Sequence, residues 1–468
     1  NSEIDEGSIR ITNIVYENIN QIGDLAPIYI GNSILAQSKS VISRDKFFAQ
    51  ISFAPIIKTN SGYQRVKSFD YSVERSNSSS LLSKGGFNGL SNSVLSNGDW
   101  YRFYVDKSGV YKLSKAFLQQ LGLNLNNINP KNIKIYGNGG RMIPLSNAVD
   151  YPSDLEENSI QIVGEEDGSF DNGDYILFYA EGFDNWSEEN TTHLNLYDTK
   201  SYYYITLQGN AGKRIISMPE ISESGIPITS YDVYGFYEKD LINIVRLGRR
   251  WFGDDLNFNN EKTFEFSFPN INTSFPLNVR VVAAASSLNS SLLEVKLNSV
   301  VAGSLTFSGL GTGADLGYSI DSRTFSLPSN SNVAVQLTYN NNGVPSAKAY
   351  LDFITIKAKG NLTGFGKQYR FQYDDAANIL GFGNYQFMNA TSISQVWDIT
   401  DIYNVSNVKN NSQSSFSFTA PLGEIRKYIA VDQLDYFTPK NESNAKVVNQ
   451  NIKGTIFKNA HGQFQDID

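Results

Sequence analysis

Cysteine is absent from this sequence of 468 residues, and histidine occurs only twice, at His193 and His461. Without thiols the chain has no disulfide, no thiolate metal site and no cysteine nucleophile. A serine nucleophile usually needs a histidine base, and the sequence has no Gly-x-Ser-x-Gly turn. We interpret His193, between Thr192 and Leu194, as a turn or surface residue. No catalytic residue and no cofactor is predicted for this chain, which we expect to be inactive by itself.

Charge is also scarce, with 18% charged residues and a net charge of −8. This balance argues against nucleic acid as a partner, because nucleic-acid binders carry a basic face. The longest apolar run, near residues 279–285, contains Arg280 and is too short to span a bilayer.

Aromatic residues are abundant, with 27 Tyr and 29 Phe, and Asn-Gly and Asp-Gly steps are frequent. Aromatic residues favour strands, and these dipeptides favour hairpin turns. Alternation at Phe264, Phe266 and Phe268 is typical of a half-buried strand. The sequence therefore predicts an all-β chain of several consecutive β-domains, including a jelly-roll-type β-sandwich, with few short helices.

Four domains are predicted from the spacing of strands and breaks. They are a β-domain at 1–95, a β-domain at 98–220, a jelly-roll-like sandwich at 221–360 and a β segment at 361–468. A Ser/Asn/Gly-rich linker is expected at 76–97. In the second domain Ser114 caps a short helix at 115–121, with Gly122 as its left-handed end. The chain stops after residue 468 without a closing element, so we expect that its end is a cut.

Two glycine-containing turns are candidate sites. Residues 137–140 (Gly-Asn-Gly-Gly) have no following helix that would make a phosphate loop, so we predict a tight turn between a strand at 133–136 and a returning strand at 141–145. The acidic run 165–174 offers Asp167, Asp171 and Asp174 as weak calcium ligands, because calcium takes oxygen ligands from flexible loops. A plain solvated hairpin explains the same residues.

The segment Arg249-Arg250-Trp251 is a candidate partner-binding site, because Arg and Trp are the residue types that anchor interfaces. The competing interpretation is a strand that enters a domain junction with its Arg stems packed on aromatic rings.

Several segments together resemble a known family. They are Gly-Val-Tyr-Lys-Leu at 109–113, Ile-Tyr-Gly-Asn-Gly-Gly at 135–140, the acidic turn and strand at 167–180, Arg-Trp-Phe-Gly-Asp at 250–254, Val-Trp-Asp-Ile-Thr at 396–400, Ile-Arg-Lys-Tyr-Ile-Ala at 425–430 and Val-Asn-Gln-Asn-Ile at 448–452. In order and spacing this set resembles the N-terminal, non-catalytic region of the gingipain-like (C25 family) sortases of the type IX secretion system of Bacteroidota. The resemblance covers roughly residues 95–468.

The resemblance implies a parent that is a cell-surface cysteine endopeptidase. Such a sortase removes C-terminal sorting domains from cargo and attaches the cargo to anionic lipopolysaccharide. It is held peripherally at the outer membrane by a β-barrel shuttle protein of the PorV type, and it works with other components of the attachment complex. In this family the Cys–His catalytic domain follows the region covered here, so segment 361–468 would lead into it.

Three hypotheses remain open from the sequence. The first is the scaffold and partner-docking region of such a sortase. The second is a carbohydrate-binding cell-surface β-sandwich module, which an exposed row of aromatic side chains on the sandwich would favour. The third is a stand-alone hydrolase that uses the carboxylates of residues 165–174.

Overall fold

The structure is a computed structural model that describes residues 9–22, 30–34, 36–43, 46–59, 61–73, 92–146, 149, 151–311 and 317–452. Most of the predicted linker and His461 lie outside these residues. Strands dominate the described chain, which confirms the all-β prediction. No described helix is long and apolar enough to cross a membrane.

The first half of the chain contains the following elements: β1 (Arg10–Ile19), β2 (Ala36–Ser43), β3 (Lys46–Phe53), β4 (Ile56–Thr59), β5 (Gly62–Ser72), β6 (Trp100–Val105), β7 (Gly109–Ser114), α1 (Lys115–Gln120), β8 (Lys134–Tyr136), β9 (Glu157–Asn158), β10 (Ile160–Val163), β11 (Tyr175–Ala180), β12 (Asp184–Ser187), β13 (Thr192–Leu194), β14 (Ser201–Thr206) and β15 (Ile216–Ser217).

The second half contains β16 (Ile226–Ile228), β17 (Ser230–Glu238), β18 (Glu261–Ser267), β19 (Leu277–Ser286), β20 (Ser291–Leu297), β21 (Val300–Phe307), β22 (Ser319–Leu327), β23 (Asn332–Asn340), β24 (Lys348–Asn361), β25 (Tyr369–Gln372), β26 (Phe382–Phe387), β27 (Ile393–Asp398), β28 (Ser406–Lys409), β29 (Phe416–Pro421), β30 (Lys427–Asp432) and β31 (Lys446–Val447). Short 3₁₀ turns lie at Val94–Ser96, Pro130–Asn132, Glu165–Asp167, Asp374–Asn378 and Ala390–Ser392.

The predicted helix is present as α1. Ser114 caps it, because its hydroxyl accepts a hydrogen bond from the amide of Phe117. Gly122 follows the helix with a φ of 98°, a left-handed conformation that ends helices at low cost for glycine. Leu113 and Leu118 are both fully buried in the same core, which fits the contact expected across the first turn.

The returning strand predicted at 141–145 is wrong. Strand β8 pairs instead with β9 and β14, and residues 141–144 form no strand. The main chain at Gly140 runs so close to that of Gly182 that a Cβ atom would lie 2.3 Å from the Gly182 carbonyl oxygen. Arg141 then turns toward the buried Glu181 and donates two hydrogen bonds of 2.5 and 2.7 Å to its carboxylate. This ion pair joins an exposed arginine to a buried carboxylate, and it accompanies the departure of the chain from the sheet, which the local pattern does not show.

The β-sandwich consists of a four-stranded sheet packed on part of a nine-stranded sheet. The small sheet has the order β18-β23-β20-β21, and the large one has the order β15-β28-β27-β30-β25-β17-β24-β19-β22. Inward side chains of both sheets form one core that includes Phe264, Leu293, Val335, Val281 and Ile356. The alternation read from the sequence therefore marks the buried face correctly.

Shared sheets and cores join the segments that the sequence separates. The nine-stranded sheet crosses the boundary predicted at 360/361, since β25, β27, β28 and β30 continue the sheet that β17 and β24 begin. A further core combines Leu177 and Tyr179 of β11 with Trp397 and Ile429. Strand β31 returns to pair with β6. The predicted domain bounds stay a prediction, but the sheets and cores run across them.

Candidate functional site

The candidate partner-binding residues lie on a loop at 241–251, in the connection between β17 and β18. Its base is closed by main-chain hydrogen bonds: the amides of Leu241 and Ile242 donate to the carbonyl of Phe252, and the amide of Phe252 donates to that of Ile242. Inside the loop the Asn243 side chain accepts from the amide of Leu247 at 3.1 Å and donates to its carbonyl at 3.2 Å. The loop is therefore ordered by its own hydrogen bonds.

Arg250 serves the structure of this junction. Its guanidinium donates a hydrogen bond to the carboxylate of Asp352, and Asp352 is only 2% exposed. The same guanidinium lies 5.9 Å from the centre of the Phe252 ring. Burial raises the pKa of Asp352 to about 7, while Arg250 opposes that rise and Glu238 adds to it. An arginine that neutralises an internal carboxylate is not free to bind a partner. Of the three candidates, Arg250 therefore matches the competing interpretation.

Arg249 and Trp251 are exposed on either side of Arg250, with 38% of Trp251 accessible. Leu247, at the tip of the loop, is 78% exposed. Large apolar and cationic side chains that an ordered loop holds out toward solvent are typical of a contact surface. The loop thus keeps two of the three predicted residues available.

The interpretation of His193 as a turn or surface residue is wrong, because its side chain is only 8% exposed. Its Nδ1 atom lies 2.7 Å from Oε2 of Glu238, and its main-chain amide donates to the same oxygen at 2.8 Å. Thr192 donates to the other oxygen of Glu238 at 2.5 Å. All partners of this carboxylate come from β13, so the contact fixes the β12–β13 hairpin to β17.

Aromatic rings enclose the imidazole of His193. It stacks on Phe236 with ring centres 4.4 Å apart and an interplanar angle of 3°. Trp186 lies 4.6 Å away on the same hairpin, and Phe353 of β24 meets the ring edge-on at 5.2 Å. This enclosure explains the burial as packing, and no nucleophile among the described residues contacts the imidazole.

In the acidic loop at 165–174, Asp167, Asp171 and Asp174 accept hydrogen bonds from within the loop. The amide of Ser169 donates to Asp167 at 2.9 Å, and the single hydroxyl proton of Ser169 is shared between Asp167 at 3.0 Å and Asp171 at 2.8 Å. The amide of Asp171 donates to Asp174 at 2.5 Å. Hydrogen bonds from Ser169 lower the pKa of Asp167, which is opposite to what a general acid needs. Glu165 forms an ion pair with Arg214 at 3.0 Å.

Within the part of the chain that the structure describes, no group of three or more metal-ligating side chains is placed to hold an ion. The calcium hypothesis for Asp167, Asp171 and Asp174 and the hydrolase hypothesis therefore gain no support. The loop is most simply a solvated hairpin whose Asx-type turns use the acidic side chains as acceptors.

Comparison with known proteins gives no match to a protein-family model and no match to a curated protein. Among solved structures, dimeric latent PorU from Porphyromonas gingivalis superposes with a TM-score of 0.64 at 21% identity, over 78% of this chain and 35% of that chain. In its fold this chain is a PorU-like region. At that identity the similarity to PorU shows the fold alone, and the chain spans about a third of the length of PorU.

Isolated carbohydrate-binding modules also match parts of the chain, with much lower scores than PorU. A family 36 module in complex with calcium and xylotriose matches at a TM-score of 0.16 and 18% identity, over 20% of this chain and 71% of the module. The family 35 module of Cellvibrio japonicus Abf62 matches at a TM-score of 0.19 and 15% identity, over 28% of this chain and 98% of the module. Scores this low do not bear on function.

Two strongly exposed apolar residues of the sandwich are not predicted from the sequence. Phe258 is fully exposed and Leu288 is 71% exposed, each in a short loop at the edge of the sandwich. The signal was present, since each residue is a large apolar side chain between turn-forming neighbours (Asn257 and Asn259, Ser287 and Asn289). The alternation that marks strands does not identify them, because both residues lie in loops.

Proposed function

We propose that this chain is the non-catalytic scaffold and partner-docking region of a type IX secretion sortase. The observation that carries the proposal is the similarity of its fold to PorU across 78% of the chain, in agreement with the sequence segments that resemble this family. In the proposal the parent is a cell-surface cysteine endopeptidase that cleaves C-terminal sorting signals and joins cargo to anionic lipopolysaccharide. A PorV-like barrel holds it peripherally at the outer membrane.

The way the segments are joined suits a scaffold. A nine-stranded sheet and cores that combine distant segments resist bending, because opening them would expose buried rings such as those of Trp397 and Phe371. A rigid array of this kind holds a catalytic domain at a fixed distance from its anchoring partner. It also offers sheet edges to which extended cargo segments can add a strand.

Docking to the barrel partner is assigned to the 241–251 loop. The loop is ordered before binding, which reduces the entropy lost on association. Trp251 offers the side-chain type that most often contributes strongly to protein interfaces, and Arg249 offers a charge for the rim. Arg250 is not part of the proposed docking surface, because its guanidinium is bound to Asp352.

The direct test of the parent is the reading frame that encodes this chain. Read beyond residue 468, the gene should continue into a gingipain-like domain with a catalytic Cys and His. A frame that ends without such a domain would contradict the assignment. Peptide cleavage by the purified chain alone would contradict the non-catalytic role as well.

The carbohydrate-binding alternative would be favoured by a row of exposed aromatic side chains, and the described strands of the four-stranded sheet have none. In the described residues of its four strands, the aromatic side chains of Phe264, Phe266, Phe307 and Tyr339 belong to or pack against the core. The outer face carries Leu292, Glu294, Thr338 and other largely polar groups. Binding of the purified chain to a glycan array, followed by its loss on substitution of outer-face residues, would favour this alternative.

A further inference from the structure

We infer that the joint between strand β11 and the nine-stranded sheet holds a binding site for a phosphate group. The site consists of the cationic side chains of Arg141, Arg370 and Lys427, which we call the cation cluster. The inference goes beyond the proposed function and does not depend on it, because no residue of the 241–251 loop takes part.

Sheet register places Arg370 and Lys427 on one face of the nine-stranded sheet. In the pairing of β25 with β30, Arg370 lies opposite Ile429, and Lys427 lies two residues before Ile429 on the same strand. Alternate residues of a strand share a face, so these three side chains point to the same side. Ile429 belongs to the core that contains Tyr179 of β11. The two cations therefore face β11 across the joint.

Arg141 reaches the joint from the side of β11. Its guanidinium donates to both carboxylate oxygens of Glu181, the residue that directly follows β11. A Cβ atom on Gly139 would lie 3.1 Å from Cβ of Glu181 and 3.7 Å from Cδ1 of Ile402, which belongs to the same core as Ile429. Glu181 and its arginine therefore lie at the margin of the core that Arg370 and Lys427 also border.

The three cations act on one another in a recess. Burial lowers the pKa of Lys427, the charges of Arg141 and Arg370 lower it further, and Glu181 opposes them. All three cationic side chains nonetheless remain accessible to solvent. Side chains that are partly desolvated by surrounding protein, yet accessible, line a recess instead of a flat surface. Like charges held together in this way are unfavourable until an anion joins them.

The carboxylates at the joint do not neutralise the cluster. Glu181 is engaged by Arg141, as described above. Asp184 is the other carboxylate that acts on Arg370, and burial raises the pKa of Asp184 while Arg370 lowers it. Neither Arg370 nor Lys427 forms an ion pair with a carboxylate of the described residues. Three cations thus face two carboxylates, and two of the cations have no ion-pair partner in the described chain.

Other charged groups around the joint have partners of their own. The ammonium of Lys107 lies 3.6 Å from the centre of the Phe437 ring. Exposed Glu156 acts on Tyr403 but not on Lys427. Three further lysines form ion pairs of 2.5, 2.6 and 3.0 Å, namely Lys440 with Asp106, Lys357 with Asp374 and Lys359 with Asp232. The absence of such a partner distinguishes Arg370 and Lys427 from these lysines.

A phosphate group matches the donors of the cation cluster. Guanidinium groups bind phosphate through parallel N–H donors, and a lysine adds a compact charge. Arg141 uses Nε and Nη2 for Glu181, so its Nη1 group has no partner among the described residues. A phosphate monoester carries nearly two negative charges and three free oxygens, which suffices for three cations. A carboxylate has one charge and two oxygens.

The test is isothermal titration calorimetry of the purified chain with inorganic phosphate, with acetate as the comparison anion at equal ionic strength. We expect saturable phosphate binding. Lys427→Gln and Arg370→Gln should each weaken it at least about tenfold, because each removes a charge-assisted hydrogen bond. Lys348→Gln is the matched control and should bind like wild type, since Lys348 is exposed at the start of β24 and has no ion pair in the described chain.

Thermal unfolding separates a binding role of Lys427 from a structural one. In phosphate-free buffer Lys427→Gln should unfold at the same temperature as wild type or at a higher one, because the substitution relieves repulsion within the cluster. Phosphate should then raise the unfolding temperature of wild type more than that of Lys427→Gln. A lower unfolding temperature of Lys427→Gln without phosphate would identify a structural lysine and overturn the inference.

Glucose 6-phosphate and O-phosphoserine distinguish the source of the phosphate group. Tighter binding of the first assigns the group to a sugar, tighter binding of the second assigns it to a phosphorylated side chain, and either result supports the site. No saturable binding up to about 10 mM phosphate, equally tight binding of acetate, or equal affinities of Lys427→Gln and Lys348→Gln would overturn the inference. The proposed function would stand in each of these cases, because it is tested on the reading frame and on the 241–251 loop.

Discussion

Replacing His193 by alanine should release the β12–β13 hairpin from the sandwich. The imidazole is held between Phe236, Trp186 and Phe353 and contacts Glu238 at 2.7 Å. His193→Ala removes both the ring packing and this hydrogen bond. We expect the loss to be local, because the hairpin is a two-stranded unit whose partner strand β17 belongs to a nine-stranded sheet.

The magnitude follows from the burial. Truncating a buried ring to alanine costs about 3–5 kcal/mol, and a hydrogen bond to a charged group contributes about 1.5–3 kcal/mol. Because the imidazole makes both contributions, the two values are not added. Glu238 keeps its bonds to Thr192 and to the amide of residue 193, so it is not left without partners. A loss of about 3 kcal/mol corresponds to a more than hundredfold increase in the population of the open hairpin.

Hydrogen–deuterium exchange of residues 184–194 measures this opening directly. The variant His193→Phe retains a ring but loses the contact with Glu238, so its exchange should lie between those of wild type and His193→Ala. Exchange in β17 and β24 should change much less than exchange in the hairpin. If residues 184–194 exchange equally in wild type and His193→Ala, the reasoning about this contact is refuted.

Two further predictions concern the close approach at Gly140 and the carboxyls behind the 241–251 loop. Gly140→Ala should lower the free energy of unfolding in urea by about 1–3 kcal/mol or more, because the new methyl group would lie 2.3 Å from the Gly182 carbonyl oxygen. Gly311→Ala is the control and should not destabilise the chain, because the space around Gly311 is open. Burial raises the pKa of Asp240 to about 6 and that of Asp352 to about 7, so the folded chain keeps protons that the unfolded chain releases. The stability contributed by these two carboxyls should therefore fall as the pH rises from about 4 to about 7, and Asp240→Asn should flatten the decline in unfolding free energy between about pH 4 and pH 6. An unchanged decline in Asp240→Asn would contradict this assignment.

Local features of the sequence predicted local features of the fold. The alternation at Phe264, Phe266 and Phe268 identifies a strand because strand side chains point to opposite faces in turn. Ser114 and Gly122 mark the two ends of the helix because each satisfies main-chain groups within a few residues. In such cases the physical cause and its sequence signal lie in the same short segment.

Contacts between distant segments were not predictable in this way. His193 contacts Glu238, which lies 45 residues away in the sequence. Arg250 is bound to Asp352, which lies 102 residues away. The departure of residues 141–145 from the sheet depends on Glu181 in the same manner. An isolated sequence shows the residue types of these pairs but not which of them meet, so it also cannot separate a binding arginine from a structural one.

The most direct measurement of the central claim is binding of the purified chain to a purified PorV-like outer-membrane barrel in detergent, followed by biolayer interferometry. We expect saturable binding. We also expect Trp251→Ala to weaken this binding at least about thirtyfold, since a central interface tryptophan typically contributes about 2 kcal/mol or more. Tyr197→Ala, at an aromatic residue outside the loop that is more exposed than Trp251 (75% against 38%), should bind like wild type. Absence of binding, or equal affinity of the Trp251→Ala variant and wild type, would contradict the account.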